Sequence, residues 1–387
     1  MTAQLRASEN HQLPRNHGLP AGISMLRALA MQAKPSTLNL GLGKPEEDMP
    51  GEIRALAETS LLAHRMDYTE NAGDLGIRAK LAKQISVTDG KKLVLTHGAQ
   101  EALMASLIAL LNRNDEVLIP DPGFLAYAPM IKILGAKPVA YRLKKTSVGF
   151  AHDLRSMTAK INSRTRAILL SSPGNPTGCD LHEELVIELC KIIGRKKIVI
   201  LSDEVYGMLH FTKPYLPLAR LDDRVISISS FSKSHALTGW RIGYLACENS
   251  ALLQSTLIAH QYLATCASVP AQHLLGELLS TRHFLEIPHH YREVYHAKLK
   301  LFANSSSEAL RAKIPKACGG FYLFPELPEK ENSLQFCERM LKEEDLLVIP
   351  GSAFGKFGEG SVRLSLALPD DQIKKAAIIL SKAYASE

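Results

Sequence analysis

The sequence predicts an α/β protein: a mostly parallel sheet sandwiched by helices, with a smaller α+β domain drawn from both chain ends. Three observations carry that prediction. From about residue 75 to residue 246, short apolar runs alternate with helical patterns, the alternation that builds parallel strands joined by helical crossovers. A long helix-like stretch over about 251–281 then gives way to a second series of short strands and helices. At 387 residues the chain exceeds what one hydrophobic core ordinarily serves, so a second, smaller unit is expected beside the first.

In chain order, a polar stretch to about Gly18 precedes a short helix expected over 23–33. The run Thr37-Leu-Asn-Leu-Gly-Leu-Gly43 reads as a strand entering a glycine turn, and this arm is expected to pack with the carboxyl-terminal part. Gly41 and Gly43 lack the third glycine of a dinucleotide fingerprint, and Pro45 blocks the helix that would have to follow. Strands are expected at 92–95, 116–120, 138–141, 167–171, 198–202, 225–229 and 242–246. Helical pattern resumes over 287–301. Short strands follow in Gly319-Gly-Phe-Tyr-Leu-Phe-Pro325, Leu346-Leu-Val-Ile349 and Val362-Arg-Leu-Ser-Leu366, and a last helix over 370–385. The resulting division is 1–48 as an arm and part of the small domain, 49–285 as the large domain, and 286–387 as the carboxyl-terminal small domain.

Composition narrows the function classes. Apolar residues make up 46% and charged residues 22% of the chain, values of an ordinary folded globular protein and not of a disordered one. The net charge of +7 is scattered. Its densest cluster, Arg195-Lys-Lys197, precedes a strand-like run, and no basic helix or basic-aromatic interleaving supports nucleic-acid binding. Six cysteines show neither a Cys-x-x-Cys pair nor a matching histidine spacing, which argues against a zinc site or a disulfide framework. The apolar run over 102–111 is well short of the roughly 20 residues a membrane span needs. The amino terminus carries Arg6, Glu9 and Arg15 without an apolar core, so no secretory signal and a cytoplasmic address are expected.

The segment richest in chemistry is Ser230-Phe-Ser-Lys233, with Arg241 eight residues on in Thr238-Gly-Trp-Arg-Ile-Gly-Tyr244. It follows the apolar run 225–229, which places Lys233 just past the carboxyl end of a buried strand, the edge where ligands of open α/β sheets gather. A lysine amine attacks a carbonyl only when neighbouring cations or exclusion of water lower its pKa. The planar donor fork of Arg241 suits a phosphate dianion. Lysine and arginine together point to a phosphorylated aldehyde as cofactor.

Four further segments put polar groups at predicted strand ends. Pro173-Gly-Asn-Pro-Thr-Gly178 is a rigid loop that holds the Asn175 amide out into a cleft. Asp203-Glu-Val-Tyr206 sets an acid and a phenol three residues apart past a buried strand. Thr96-His-Gly-Ala-Gln-Glu101 is a glycine turn opening an apolar helix, where backbone N–H groups and the helix dipole hold an anion. Arg363 lies in a late strand. Taken singly, these are also explained by a tight turn, a helix cap, an ordinary strand-to-helix turn and a surface ion pair.

Together and in this order, the motifs resemble the class I and II aminotransferases, the fold type I, aspartate aminotransferase-like family that uses pyridoxal 5′-phosphate. The resemblance runs from about Asn39 to Leu368. It implies that the large domain binds this cofactor and that Lys233 forms the Schiff base with its aldehyde and then shuttles the proton. By the same resemblance Asp203 pairs with the pyridine nitrogen, while Tyr206 and Asn175 donate to the phenolate oxygen. Gly98, Ala99, Gln100, Ser230, Ser232 and Arg241 would hold the phosphate, and Phe124 would stack on the ring. Arg363 would clamp the substrate carboxylate, assisted by Asn175 and the Gly43 N–H. Tyr68 would reach the cofactor phosphate of a neighbouring subunit, which implies a homodimer with shared active sites.

The expected activity is ping-pong amino transfer from an L-amino acid to a 2-oxo acid. The same cofactor cage also runs β-elimination, as in C–S lyases. A non-catalytic aminotransferase-like sensing protein is the remote alternative, because only about forty residues precede Asn39. Gln100 stands where one aspartate-specific subgroup has a lysine, and Leu42, Ile23, Phe124 and Phe321 are expected to wall the substrate pocket with apolar surface. Neutral or aromatic amino acids fit that wall.

Overall fold

The structure, a computed structural model, describes residues 25–46, 48–147, 149–328 and 331–385. Its centre is a seven-stranded sheet made of β1 (Leu93–Thr96), β2 (Glu116–Asp121), β3 (Lys137–Arg142), β4 (Thr165–Ser171), β5 (Val199–Asp203), β6 (Val225–Ser230) and β7 (Gly243–Ala246). Their order across the sheet is β1-β7-β6-β5-β4-β2-β3. The pairs from β6 to β3 are parallel, and β7 runs antiparallel to both β1 and β6. Each strand lies within two residues of its expected place. Strands β1, β2 and β4 to β7 are buried on both faces, so successive side chains enter different cores, whereas the edge strand β3 is buried only at Tyr141. Along β1, Leu93 and Leu95 pack into one apolar cluster and Val94 into another, and β4 divides Ala167 and Leu169 from Ile168 and Leu170 in the same way.

Helices α1 (Met25–Ala30), α2 (Ala99–Leu110), α3 (Tyr127–Ile133), α4 (Phe231–Ser234), α5 (Ser250–Ala264), α6 (Val269–Leu278), α7 (His283–Ser305) and α8 (Asp370–Tyr384) concern the site and its support. The expected long helix over 251–281 is two helices. Thr265 adopts φ +63°, its carbonyl accepts from the Asn71 amide at 2.8 Å, and Pro270 starts α6, so the backbone turns between α5 and α6. Helix α1 ends at Ala30, three residues before its expected end, and the start of that expectation at Ile23 falls outside the described residues.

The carboxyl-terminal part holds a three-stranded antiparallel sheet of β8 (Tyr322–Leu323), β9 (Ile349–Pro350) and β10 (Val362–Ser365), ordered β8-β10-β9. Within the run 37–43, expected as a strand entering a glycine turn, the strand is Leu38–Asn39, which pairs in parallel with Leu346–Leu347. Ser36 and Thr37 donate their hydroxyls to the Asp345 carboxylate at 3.0 and 2.6 Å. The arm therefore packs where the sequence puts it, against the carboxyl-terminal part. The second expected domain boundary, 285/286, lies inside the continuous helix α7. Among the described residues, no helix is long and apolar enough to cross a membrane.

Candidate active site

Strands β4, β5 and β6 end side by side, with Ser171 in register with Asp203 and Asp203 with Ile228. Their polar loops therefore emerge at one edge, and a cavity of about 340 Å³ opens there. Lys233 reaches it from α4, one turn past β6. Arg363 comes from β10 and Gly43 from the arm, so the chain ends close over the edge of the sheet. All the expected site residues line this cavity except Gly98 and Tyr68. Gly98 caps α2 immediately before Ala99 and Gln100, which do line it. Tyr68 is 85% exposed on this chain's surface and contributes nothing to its own cavity.

The electrostatics are lopsided, with three cations and one acid facing the cavity. The Lys233 ammonium donates to the Gly43 carbonyl at 2.6 Å. Burial, and then the Arg241 and Arg363 guanidinium groups, bring its pKa down to about 8. A lysine so placed is a competent nucleophile near neutral pH. Asp203 is driven the other way: burial raises its pKa, against the opposing effect of the Tyr127 hydroxyl at 2.5 Å and the Val205 N–H at 3.3 Å. Arg363 is almost wholly buried and donates to the Gly41 carbonyl at 2.6 Å and to the Asn175 side-chain oxygen at 3.2 Å. Its guanidinium lies over the Tyr322 ring at 4.5 Å and the Phe354 ring at 5.0 Å. Arg363 Nε has no hydrogen-bond partner among the described residues. Burial raises the pKa of the Tyr206 phenol, reinforced by Tyr322, whose oxygen accepts its hydrogen bond at 3.1 Å.

These groups fit a phosphorylated aldehyde with an aromatic ring. The donors around Ser230, Ser232, Arg241 and the start of α2 are those a phosphate dianion takes. Gly98 has φ +77° and ψ 173°, and a Cβ there would stand 2.7 Å from Arg241 Nη2, so the guanidinium occupies space that only glycine leaves open. Phe124 lines the cavity and meets Tyr127 edge-on, with centroids 5.5 Å apart.

Sequence reasoning misplaced part of the apolar wall. Phe321 is fully buried, packed edge-on against Tyr206 and tilted against Tyr295, and does not reach the cavity. Leu42 is 46% exposed and also does not line it, while Ile23 lies outside the described residues. Leu26, Leu125 and Met130 line it instead, beside Phe124.

Sequence reasoning also missed three polar neighbours. Tyr127 opens α3 three residues after Phe124, and its N–H donates to the Phe124 carbonyl at 3.1 Å. Tyr322 was visible only as one apolar letter in a strand. The third is Glu101, beneath the start of α2. Burial pushes the Glu101 pKa up, but hydrogen bonds from the His260 ring at 2.8 Å and from the His97 ring and N–H at 3.0 and 2.5 Å outweigh it and leave the carboxylate at about 2.

A second group, Asp180, His210 and Cys318, brings its ligand atoms within 4.8 Å of one another. The Lys213 ammonium already sits 2.6 Å from Asp180, and His210 Nδ1 faces the N–H groups of Thr212 and Lys213 at 3.2 and 3.1 Å. That arrangement is an ion-paired network, in which Nε2 keeps its proton for Asp180.

The family model described as "Aminotransferase class I and II" matches residues 35–380. The chain is 31% identical to an aspartate aminotransferase of Pyrococcus horikoshii, over 90% of this chain and 91% of that protein. It is 31% identical to aromatic-amino-acid aminotransferase 2 of Thermococcus litoralis, over 92% and 94% respectively. Among solved structures, the aromatic aminotransferase from Pyrococcus horikoshii OT3 superposes with a TM-score of 0.84 at 30% identity, covering 93% of this chain and 99% of that one.

Proposed function

We propose, for a chain that belongs to the class I and II aminotransferases, that its amino transfer runs as two half-reactions, ping-pong fashion, on Lys233. The protein is a pyridoxal phosphate-dependent transaminase, using an amino acid as donor and a 2-oxo acid as acceptor. Bound in this cavity, pyridoxal phosphate supplies an aldehyde carbon that takes up an amine and a ring that accepts an electron pair.

The carrying observation is the placement of Lys233: half-neutral near pH 8, at a strand end, flanked by two arginines and sharing its cavity with half-buried Asp203. In the proposed assignment Lys233 Nζ holds the aldehyde and afterwards moves the proton of the substrate Cα. One amine then serves as anchor and as general acid and base. Asp203 pairs with a protonated ring nitrogen, a role suited to a half-buried acid already held by the Tyr127 hydroxyl. Tyr206 and Asn175 orient the ring through its phenolic oxygen. Gly98, Ala99, Gln100, Ser230, Ser232 and Arg241 hold the phosphate, and Phe124 covers the ring face. Arg363 takes the substrate carboxylate, with Asn175 and the Gly43 N–H beside it.

The wall of Leu26, Phe124, Leu125 and Met130 supports a neutral or aromatic donor. Among the described lining residues, Lys233, Arg241 and Arg363 are the only lysine and arginines, and all three already have roles. The large domain is taken as 49–285, with 1–48 and 286–387 forming the small one. We assign the working unit as a homodimer in which exposed Tyr68 serves the partner's cofactor phosphate. A cytoplasmic setting is in keeping with six cysteines that are all unpaired.

The test is a spectral half-reaction screen, in which cofactor-loaded protein meets each common amino acid singly. Conversion of the visible band to the amino form of the cofactor, by a subset of donors, is the expected result. Persistence of the band while pyruvate and ammonia accumulate means elimination instead. Lys233→Ala is expected to bind cofactor without turning over, and near-normal transamination by that variant would refute the assignment. Sedimentation of the loaded protein as a monomer would remove the shared-site role of Tyr68.

A further inference from the structure

Tyr322 touches three of the groups assigned above, yet no role has been given to it. It is 4% exposed in the short strand β8, and its phenol oxygen lies 3.1 Å from that of Tyr206. The two rings meet at 72° with centroids 5.7 Å apart. Its face lies under the Arg363 guanidinium at 4.5 Å. Its oxygen also sits so close over Gly43 that a Cβ there would come within 2.2 Å of it. Gly43 in turn supplies the carbonyl that receives the Lys233 ammonium. A single side chain thus borders the proposed ring-orienting phenol, the proposed carboxylate clamp and the arm residue beside the lysine.

We infer that Tyr322 is a positioning residue with two separable parts. Its hydroxyl donates to Tyr206 once the Tyr206 proton turns to the cofactor, and its ring face fixes the plane of the Arg363 fork. The inference rests on the assignments of Tyr206 and Arg363 made above.

The hydroxyl argument follows from proton counting. A phenol has one proton and two acceptor lone pairs. In the structure described, Tyr206 gives its proton to Tyr322. When that proton is given to the phenolic oxygen of the cofactor, the Tyr206 oxygen becomes the acceptor, and the Tyr322 O–H is the donor within reach. A donor at its back makes Tyr206 a stronger donor in front, because hydrogen bonds in a dry chain polarise one another. The ring argument is independent. A guanidinium over an aromatic face is drawn to it by the ring quadrupole, whereas an aliphatic neighbour leaves Arg363 with the Phe354 ring and its hydrogen bonds to Gly41 and Asn175 alone to set its plane.

Two variants separate the parts. Tyr322→Phe keeps the face and removes the hydroxyl. Its loaded form is expected to show the pH midpoint of its visible absorption raised by about one unit. Its affinity for propanoate, a carboxylate without an amine, stays within about twofold of wild type. Tyr322→Leu removes both parts and is expected to shift the midpoint similarly while weakening propanoate about tenfold.

An unmoved midpoint in Tyr322→Phe overturns the hydroxyl role, and undiminished propanoate binding in Tyr322→Leu overturns the ring role. Tyr206→Phe and Arg363→Leu, measured alongside, show where a failure lies. If Tyr206→Phe leaves the midpoint in place, the Tyr206 assignment itself falls and the hydroxyl role with it. If Tyr206→Phe moves the midpoint and Tyr322→Phe does not, only the role of Tyr322 is lost. Undiminished propanoate binding in Arg363→Leu removes the clamp, and the ring role with it.

Discussion

Replacing Lys233 by methionine is expected to make the cofactor-free protein more stable at neutral pH, although it removes the amine proposed above to hold the cofactor aldehyde. Burial and two guanidinium groups bring the lysine pKa from 10.5 to about 8. That difference is worth about 3 kcal/mol. Below pH 8 the ammonium is charged in both the folded and the unfolded chain, and the folded chain carries the full penalty. Between about 8 and 10.5 the folded chain releases its proton while the unfolded chain keeps it, so wild-type stability rises with pH through this window. Above 10.5 the amine is neutral in both states and the penalty is gone. Methionine has similar length and no charge, and therefore escapes the penalty at every pH. It also loses the hydrogen bond to the Gly43 carbonyl, a loss of about 1 kcal/mol at a carbonyl that water can reach. The net expectation is a variant about 2 kcal/mol more stable than wild type at pH 7, an advantage that disappears by about pH 10. Urea unfolding of both cofactor-free proteins at pH 7 and pH 10 measures it, and the comparison cancels every other titrating group. A variant no more stable than wild type at pH 7, or equally advantaged at both pH values, would refute the electrostatic account of Lys233.

Two further substitutions test the anion-binding end of the cavity. Gly98→Ala forces a side chain into φ +77°, ψ 173°, a backbone region essentially reserved for glycine, and puts a methyl 2.7 Å from Arg241 Nη2. Strain of about 1–3 kcal/mol is expected to weaken pyridoxal phosphate binding at least about tenfold, read from cofactor retained after dialysis. Glu101→Gln removes a carboxylate held at about 2, against an ordinary 4.5, by His260 and His97. The depressed pKa means that its contribution is fully present above pH 4.5 and fades as pH falls towards 2. The variant should lose about 2–3 kcal/mol at pH 7 and much less at pH 3, measured by urea unfolding at both pH values.

What the sequence discloses and what it conceals divide along a physical line. Strands β1, β2 and β4 to β7 were legible because a strand buried on both faces reads as an apolar run, and glycine, proline and polar turn residues punctuate it. The gathering of the candidate site was legible for a related reason. Lys233, Asp203, Tyr206 and Asn175 each follow such a run within a few residues, and parallel strands with helical crossovers deliver all their carboxyl ends to one edge. Local order along the chain therefore encodes convergence in space. The features that escaped are pairings whose partners lie far apart: Tyr127 with Asp203 across 76 residues, Tyr206 with Tyr322 across 116 and Glu101 with His260 across 159. A tyrosine in an apolar run reads as core whether its hydroxyl ends on a carboxylate at the cavity or on water. The arm shows the same limit from the other side. The run 37–43 reads as a strand entering a glycine turn, but only Leu38–Asn39 finds a ladder partner, at Leu346–Leu347. The backbone then departs so that Gly43 can place its carbonyl on Lys233. A strand that stops early in order to feed a lysine carries no local signature, because the reason for stopping lies 190 residues away.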